Sequence, residues 1–159
     1  SVMKKKNKKL LNLIIFFIFI LFNCSYTLAN VDIYFLSLKN NKVNLRQGPS
    51  LDYPIKLIYK KKYLPIIITE KSGTWRKIID FKNNSGWIHV SQLSKKKSAI
   101  NVKNISIIYK KSTIYSEPIA KMEIGRLVLI IKCKISWCKV TSDKYKGWVL
   151  KKSLWGKTN

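Results

Sequence analysis

W-R-K-I-I-D-F-K-N-N-S-G-W-I-H-V-S-Q-L-S, Trp75 to Ser94, has an echo 62 residues later in W-C-K-V-T-S-D-K-Y-K-G-W-V-L-K-K-S-L-W, Trp137 to Trp155. Trp75 aligns with Trp137, Gly86-Trp87-Ile88 with Gly147-Trp148-Val149, and Leu93 with Leu154. The Trp-to-Trp spacing is 12 in one copy and 11 in the other, and the following Trp-to-Leu spacing is 6 in both. With only five Trp in 159 residues, this shared register marks a tandem duplication. Within each copy, short runs rich in β-branched and aromatic residues alternate with turn chemistry such as Lys71-Ser72-Gly73-Thr74 and Lys82-Asn83-Asn84-Ser85. Past the N-terminus, no long segment carries a helical period. Many short strands at regular spacing predict an all-β chain made of two tandem small barrels.

Upstream of the first echo lies N-L-R-Q-G-P-S-L-D-Y-P, Asn44 to Pro54, which concentrates turn-forming residues between two apolar runs. This stretch resembles the N-(L/V)-R-x-G-P-(S/G)-x-x-Y-P opening of the bacterial Src-homology-3 (bacterial SH3, SH3b) domains. W-R-K-I, G-W-I-H and the closing L-S fit the same pattern, and the resemblance spans Val31 to Gly156, as in exported two-copy proteins of proteobacteria. It implies SH3-like, partly open barrels of five to six strands, a binding role often directed at peptidoglycan, and no chemistry of its own. The second copy departs from the pattern: Ser112-Thr113-Ile114-Tyr115-Ser116-Glu117-Pro118 lacks the Arg and the Gly-Pro.

The N-terminus reads as a leader. Met3 precedes five lysines within Lys4–Lys9, and Leu10 to Phe22 is apolar except for Asn12. That length suits a signal peptide and falls short of a spanning helix. Thr27-Leu28-Ala29 places small residues for cleavage after Ala29; an uncleaved anchor and a lipoprotein linkage at Cys24 are the competing readings. The expected organisation is a signal peptide over 1–29, a first domain over 30–94, a linker over 95–100 and a second domain over 101–156. The expected location is periplasmic or secreted, with no transmembrane span once the leader is removed.

After Ala29 the chain holds 27 basic and 7 acidic residues, a net charge of +20. Such a surface adheres to anionic polymers, although 29 Lys against 3 Arg also fits a compositional bias. Export makes nucleic acid an unexpected partner. The composition leaves peptidoglycan or another anionic envelope polymer, an envelope protein, or anionic lipid.

The candidate ligand-binding residues are Arg46, Asp52 and Tyr53. Arg46 has two readings, pinning its loop through carbonyls or taking a ligand carboxylate bidentately. Gly48 is read as a backbone position that other residues avoid. The recurring tryptophans, above all Trp87 and Trp148, are assigned to barrel packing, and the lone His89 to a strand residue near the barrel end. One His without partners and no ligand spacing for zinc give no catalytic residue, metal or cofactor to expect. Cys133 and Cys138 flank a short hairpin and read either as a cross-strand disulfide or as two buried thiols. The functional reading is non-catalytic wall binding with lysine-driven capture; the alternative is an adaptor that docks an envelope protein.

Overall fold

A computed structural model describes Lys8, Ile15, Phe16 and residues 32–158. The leader and its cleavage after Ala29 otherwise lie outside the described residues. Val31–Asn159 is one compact unit. Among the described residues no helix is long and apolar enough to cross a membrane.

The first copy contributes β1 (Tyr34–Leu38), β2 (Val43–Arg46), β3 (Ile55–Tyr59), β4 (Pro65–Ser72), β5 (Trp75–Ile79), β6 (Ser85–His89) and β7 (Leu93–Ser94). The second contributes β8 (Ser98–Asn101), β9 (Ile105–Tyr109), β10 (Pro118–Glu123), β11 (Leu127–Cys133), β12 (Trp137–Ser142), β13 (Tyr145–Leu150) and β14 (Leu154–Gly156). A single 3₁₀ turn precedes the last strand of each copy, Val90–Gln92 and Lys151–Ser153. Each copy is one open seven-stranded antiparallel sheet, ordered β3-β2-β6-β5-β4-β1-β7 and β10-β9-β13-β12-β11-β8-β14. These orders are the same permutation shifted by seven. Even the irregularities repeat: β4/β5 slips between Ile68 and Glu70, and β11/β12 between Ile130 and Lys132. The duplication read from tryptophan spacing is therefore a duplication of all-β, SH3-like architecture.

Alternation fixes what each strand presents. On β2, Val43 and Leu45 are buried in the core while Asn44 and Arg46 are half-exposed. Leu38, Ile66, Ile68, Ile78 and Ile88 also belong to the first core, and Ile108, Met122, Val128, Val140 and Val149 to the second. Buried Asp80 receives the N–H groups of Lys82 and Asn84, both at 2.8 Å, and the Tyr59 hydroxyl at 3.0 Å. It thereby closes the β5–β6 turn. Burial, then the Asp80 charge, raises the Tyr59 pKa and keeps the phenol protonated.

The Gly-Trp recurrence has a steric cause. A Cβ on Gly86 would sit 2.7 Å from the Arg46 carbonyl oxygen, and one on Gly147 2.5 Å from that of Tyr109. These glycines let β6 and β13 approach β2 and β9. Gly147→Ala is expected to cost about 2 kcal/mol through forced backbone displacement, read as a lower midpoint in urea unfolding.

Ser98, Ala99 and Ile100, read as linker, are buried residues of β8, paired with β11 and β14. Ala99 and Ile100 are buried there, where a loop would leave them exposed. The barrels also share a core: Ile100 joins the first cluster, Leu127 packs on it, and Trp155 on β14 stands edge-on to Phe35 at 5.0 Å and tilted to Phe81 at 6.4 Å.

Cys133 and Cys138 are register partners across β11 and β12 and form a disulfide. Closing so short a loop stabilises by about 2 kcal/mol. Reduction is expected to lower the melting temperature, with no effect of reductant on a Cys133→Ser, Cys138→Ser variant.

Candidate functional site

A cleft of about 740 Å³ opens on the first barrel between the Gln47–Pro54 loop, β2, β5 and the end of β6. Asn44 and Arg46 reach it because they occupy the strand positions opposite the core-facing Val43 and Leu45. Lys42, Pro49, Ser50, Leu51, Asp52, Trp75, His89, Ser91 and Gln92 also line it. Trp75 and His89 face each other as register partners on β5 and β6, with rings 5.3 Å apart at 75°. His89 Nδ1 accepts from the Ser91 N–H at 3.3 Å and lies 2.8 Å from Ser91 Oγ. With Nδ1 as acceptor, the neutral ring carries its proton on Nε2. Asn44 Oδ1 is buried with no hydrogen-bond partner among the described residues.

The loop is built from within. Arg46 Nη1 donates to the carbonyls of Leu51 at 3.1 Å and Tyr53 at 2.8 Å. Gln47 N–H donates to the Pro54 carbonyl at 3.1 Å, and Ser50 Oγ donates to Asp52 Oδ2 at 3.0 Å. These bonds match the pinning reading of Arg46. Of the three candidate residues, Arg46 and Asp52 border the cleft and Tyr53 does not. The Tyr53 ring lies against Gly48, where a Cβ would stand 2.5 Å from ring atoms. Gly48 is thus required for ring contact; it is not among the residues with positive φ. The position excludes other residues through contact with the ring and not through its backbone angle.

Reading the tryptophans as packing groups missed Trp75, which is half-exposed and forms one wall of the cleft. Its partner His89 was read only as a strand residue near the barrel end, and it does end β6. A repeat comparison carries the signal: Trp75 sits across from His89 in the first copy, whereas Trp137 sits across from Leu150 in the second. Among the described residues no three His, Cys, Asp or Glu side chains cluster as a metal site needs.

The second barrel remakes the same place without the polar groups. Arg46 pairs with Trp87, and Tyr109 pairs with Trp148, so Tyr109 takes the Arg46 position and Ile107 that of Asn44. The Tyr109 ring stands edge-on to Trp137 at 5.7 Å. What remains is a depression of about 230 Å³, lined by Ile105, Ser106, Ile107, Tyr109, Val149, Leu150 and Ser153.

A family model described as Bacterial SH3 domain matches residues 39–95 and again 102–156. Similar solved structures include NlpC2 from Trichomonas vaginalis, 14% identical with a TM-score of 0.35, over 80% of this chain and 49% of that one. Another is an NlpC/P60 family protein from Bacillus cereus, 10% identical with a TM-score of 0.34, over 79% of this chain and 57% of that one. The chain thus spans about half the length of these structures. No curated protein is similar enough to match it.

Proposed function

The chain belongs to the bacterial SH3 domain family, and on that premise we propose that the first barrel is a non-catalytic module that binds the peptidoglycan stem peptide or a short bridge. Bacterial SH3 domains are generally cell-wall binding modules. The observation that carries the finer reading is the composition of the first cleft. Trp75 offers an apolar wall, Asp52 a carboxylate for a peptide amine, Lys42 an ammonium for a peptide carboxylate, and Asn44 and His89 polar groups for amides. A few convergent polar groups beside an aromatic wall suit a short peptide. The lysine-rich surface speeds capture by an anionic polymer without selecting it. The same reading sets the protein in the periplasm or outside the cell, which the disulfide suits.

Co-sedimentation of residues 31–159 with purified sacculi across a salt series tests this. Binding that persists at about 0.5 M salt, where exposed charges are strongly screened, is the expected result. Binding that vanishes with salt reduces the interaction to charge adhesion and favours the adaptor role.

A further inference from the structure

The second barrel carries a feature that the first cleft does not explain. The turn joining β11 to β12 is stapled at its base by Cys133–Cys138 and presents Ile135 at 94% exposure, the most exposed large hydrophobic side chain among the described residues. Ile135 borders a depression of about 450 Å³ with Ser136, Leu150, Lys151 and Lys152. Leu150 also lines the apolar depression that replaces the first barrel's cleft, so the two depressions share this residue. The tip is held firmly. Lys134 N–H donates to the Trp137 carbonyl at 2.7 Å, and Lys151 N–H to that of Ser136 at 2.9 Å.

Cations surround this apolar tip. Lys134 Nζ lies 4.9 Å and Lys132 Nζ 5.8 Å from the Trp148 ring centroid, while Lys151 and Lys152 flank the depression. The barrel's acids do not line the depression. Glu117 is paired with Lys110, Asp143 with Arg126, and Glu123 sits opposite Ile105 at the end of β9 remote from Tyr109. A bare aliphatic group on a protruding, covalently braced turn, ringed by lysines, matches a surface that is apolar below and anionic above.

We propose that the Ile135 tip of the second barrel docks on an anionic lipid bilayer. Ile135 and Leu150 enter the headgroup–acyl boundary, and Lys132, Lys134, Lys151 and Lys152 reach lipid phosphates. Each lysine near such a surface strengthens partition about fivefold. The inference is independent of the ligand taken by the first cleft, which lies on the other barrel.

The test uses residues 31–159, the compact unit holding both cores, and sedimentation with vesicles of phosphatidylcholine and phosphatidylglycerol at 3:1, compared with phosphatidylcholine alone. Ile135→Glu is expected to weaken partition to the anionic vesicles about tenfold. Ile124→Glu, the same charge change at another exposed isoleucine (61%), is expected to have a much smaller effect. Lys134→Gln with Lys151→Gln and Lys152→Gln should likewise exceed Lys60→Gln with Lys61→Gln and Lys62→Gln. Equal losses in tip and control variants, absence of vesicle binding, or equal binding to neutral vesicles would each overturn the proposal. Trp75→Ala should leave vesicle binding unchanged, which separates failure here from failure of the wall-binding reading.

Discussion

Replacing Trp155 with alanine lowers the stability of the whole 31–159 unit by about 3 kcal/mol, toward the low end for a large aromatic because the ring is half-buried. Trp155 belongs to the second sheet by hydrogen bonding, as the register partner of Ile100. Its ring nevertheless packs on Phe35 and Phe81 of the first copy. Truncation therefore opens a gap between the two cores and strips cover from Ile100, which is buried within the first cluster. Two barrels of this size are near the lower limit for independent folding, so the shared aromatic contact should couple them. In urea, Trp fluorescence and far-ultraviolet circular dichroism are expected to report one transition in the native protein, with a lower midpoint in Trp155→Ala. An unaltered midpoint, or a native protein that unfolds in two separate steps, would refute the shared core.

Trp75→Ala weakens binding to sacculi at high salt about tenfold, the loss expected when an aromatic anchor leaves a recognition cleft. The matched control is Trp137→Ala, the same place in the other copy. It removes a comparable ring from a site where Ile107, Tyr109 and Leu150 replace Asn44, Arg46 and His89. Trp137→Ala is expected to cost stability and leave wall binding in place. Arg46→Ala separates two roles. Its guanidinium holds the Leu51 and Tyr53 carbonyls, so the variant should loosen the loop and weaken binding through Asp52. Arg46→Lys should recover this only in part, since an ammonium lacks the planar fork. Equal losses for Trp75→Ala and Trp137→Ala would remove the first cleft as the binding site.

The hydropathy pattern and the tryptophan register were enough to read an all-β duplication, because strand alternation and turn chemistry are local properties of the chain. The Cys133–Cys138 pairing was legible as one of two readings, since a short turn between two strands brings such residues into register. The cleft was legible only in part. Arg46 and Asp52 lie in a contiguous loop motif, but Trp75 and His89 meet Asn44 only after three strands pair, and no local pattern records that meeting. Tyr53 is exposed, as its polar loop suggests, yet it stands outside the cleft with its ring against Gly48, a contact set by how the loop folds back.

The repeat, the β class, the basic surface and the loss of the Arg and Gly-Pro motif from the second copy are all readable along the chain before it folds. Each follows from composition and spacing along the chain. Strand pairing across the fold makes Ser98–Asn101 a strand, joins the barrels through Trp155, and gives one copy a polar cleft and the other an apolar, disulfide-braced tip. Those features depend on which residues from distant strands become neighbours, and sheet order and register set that.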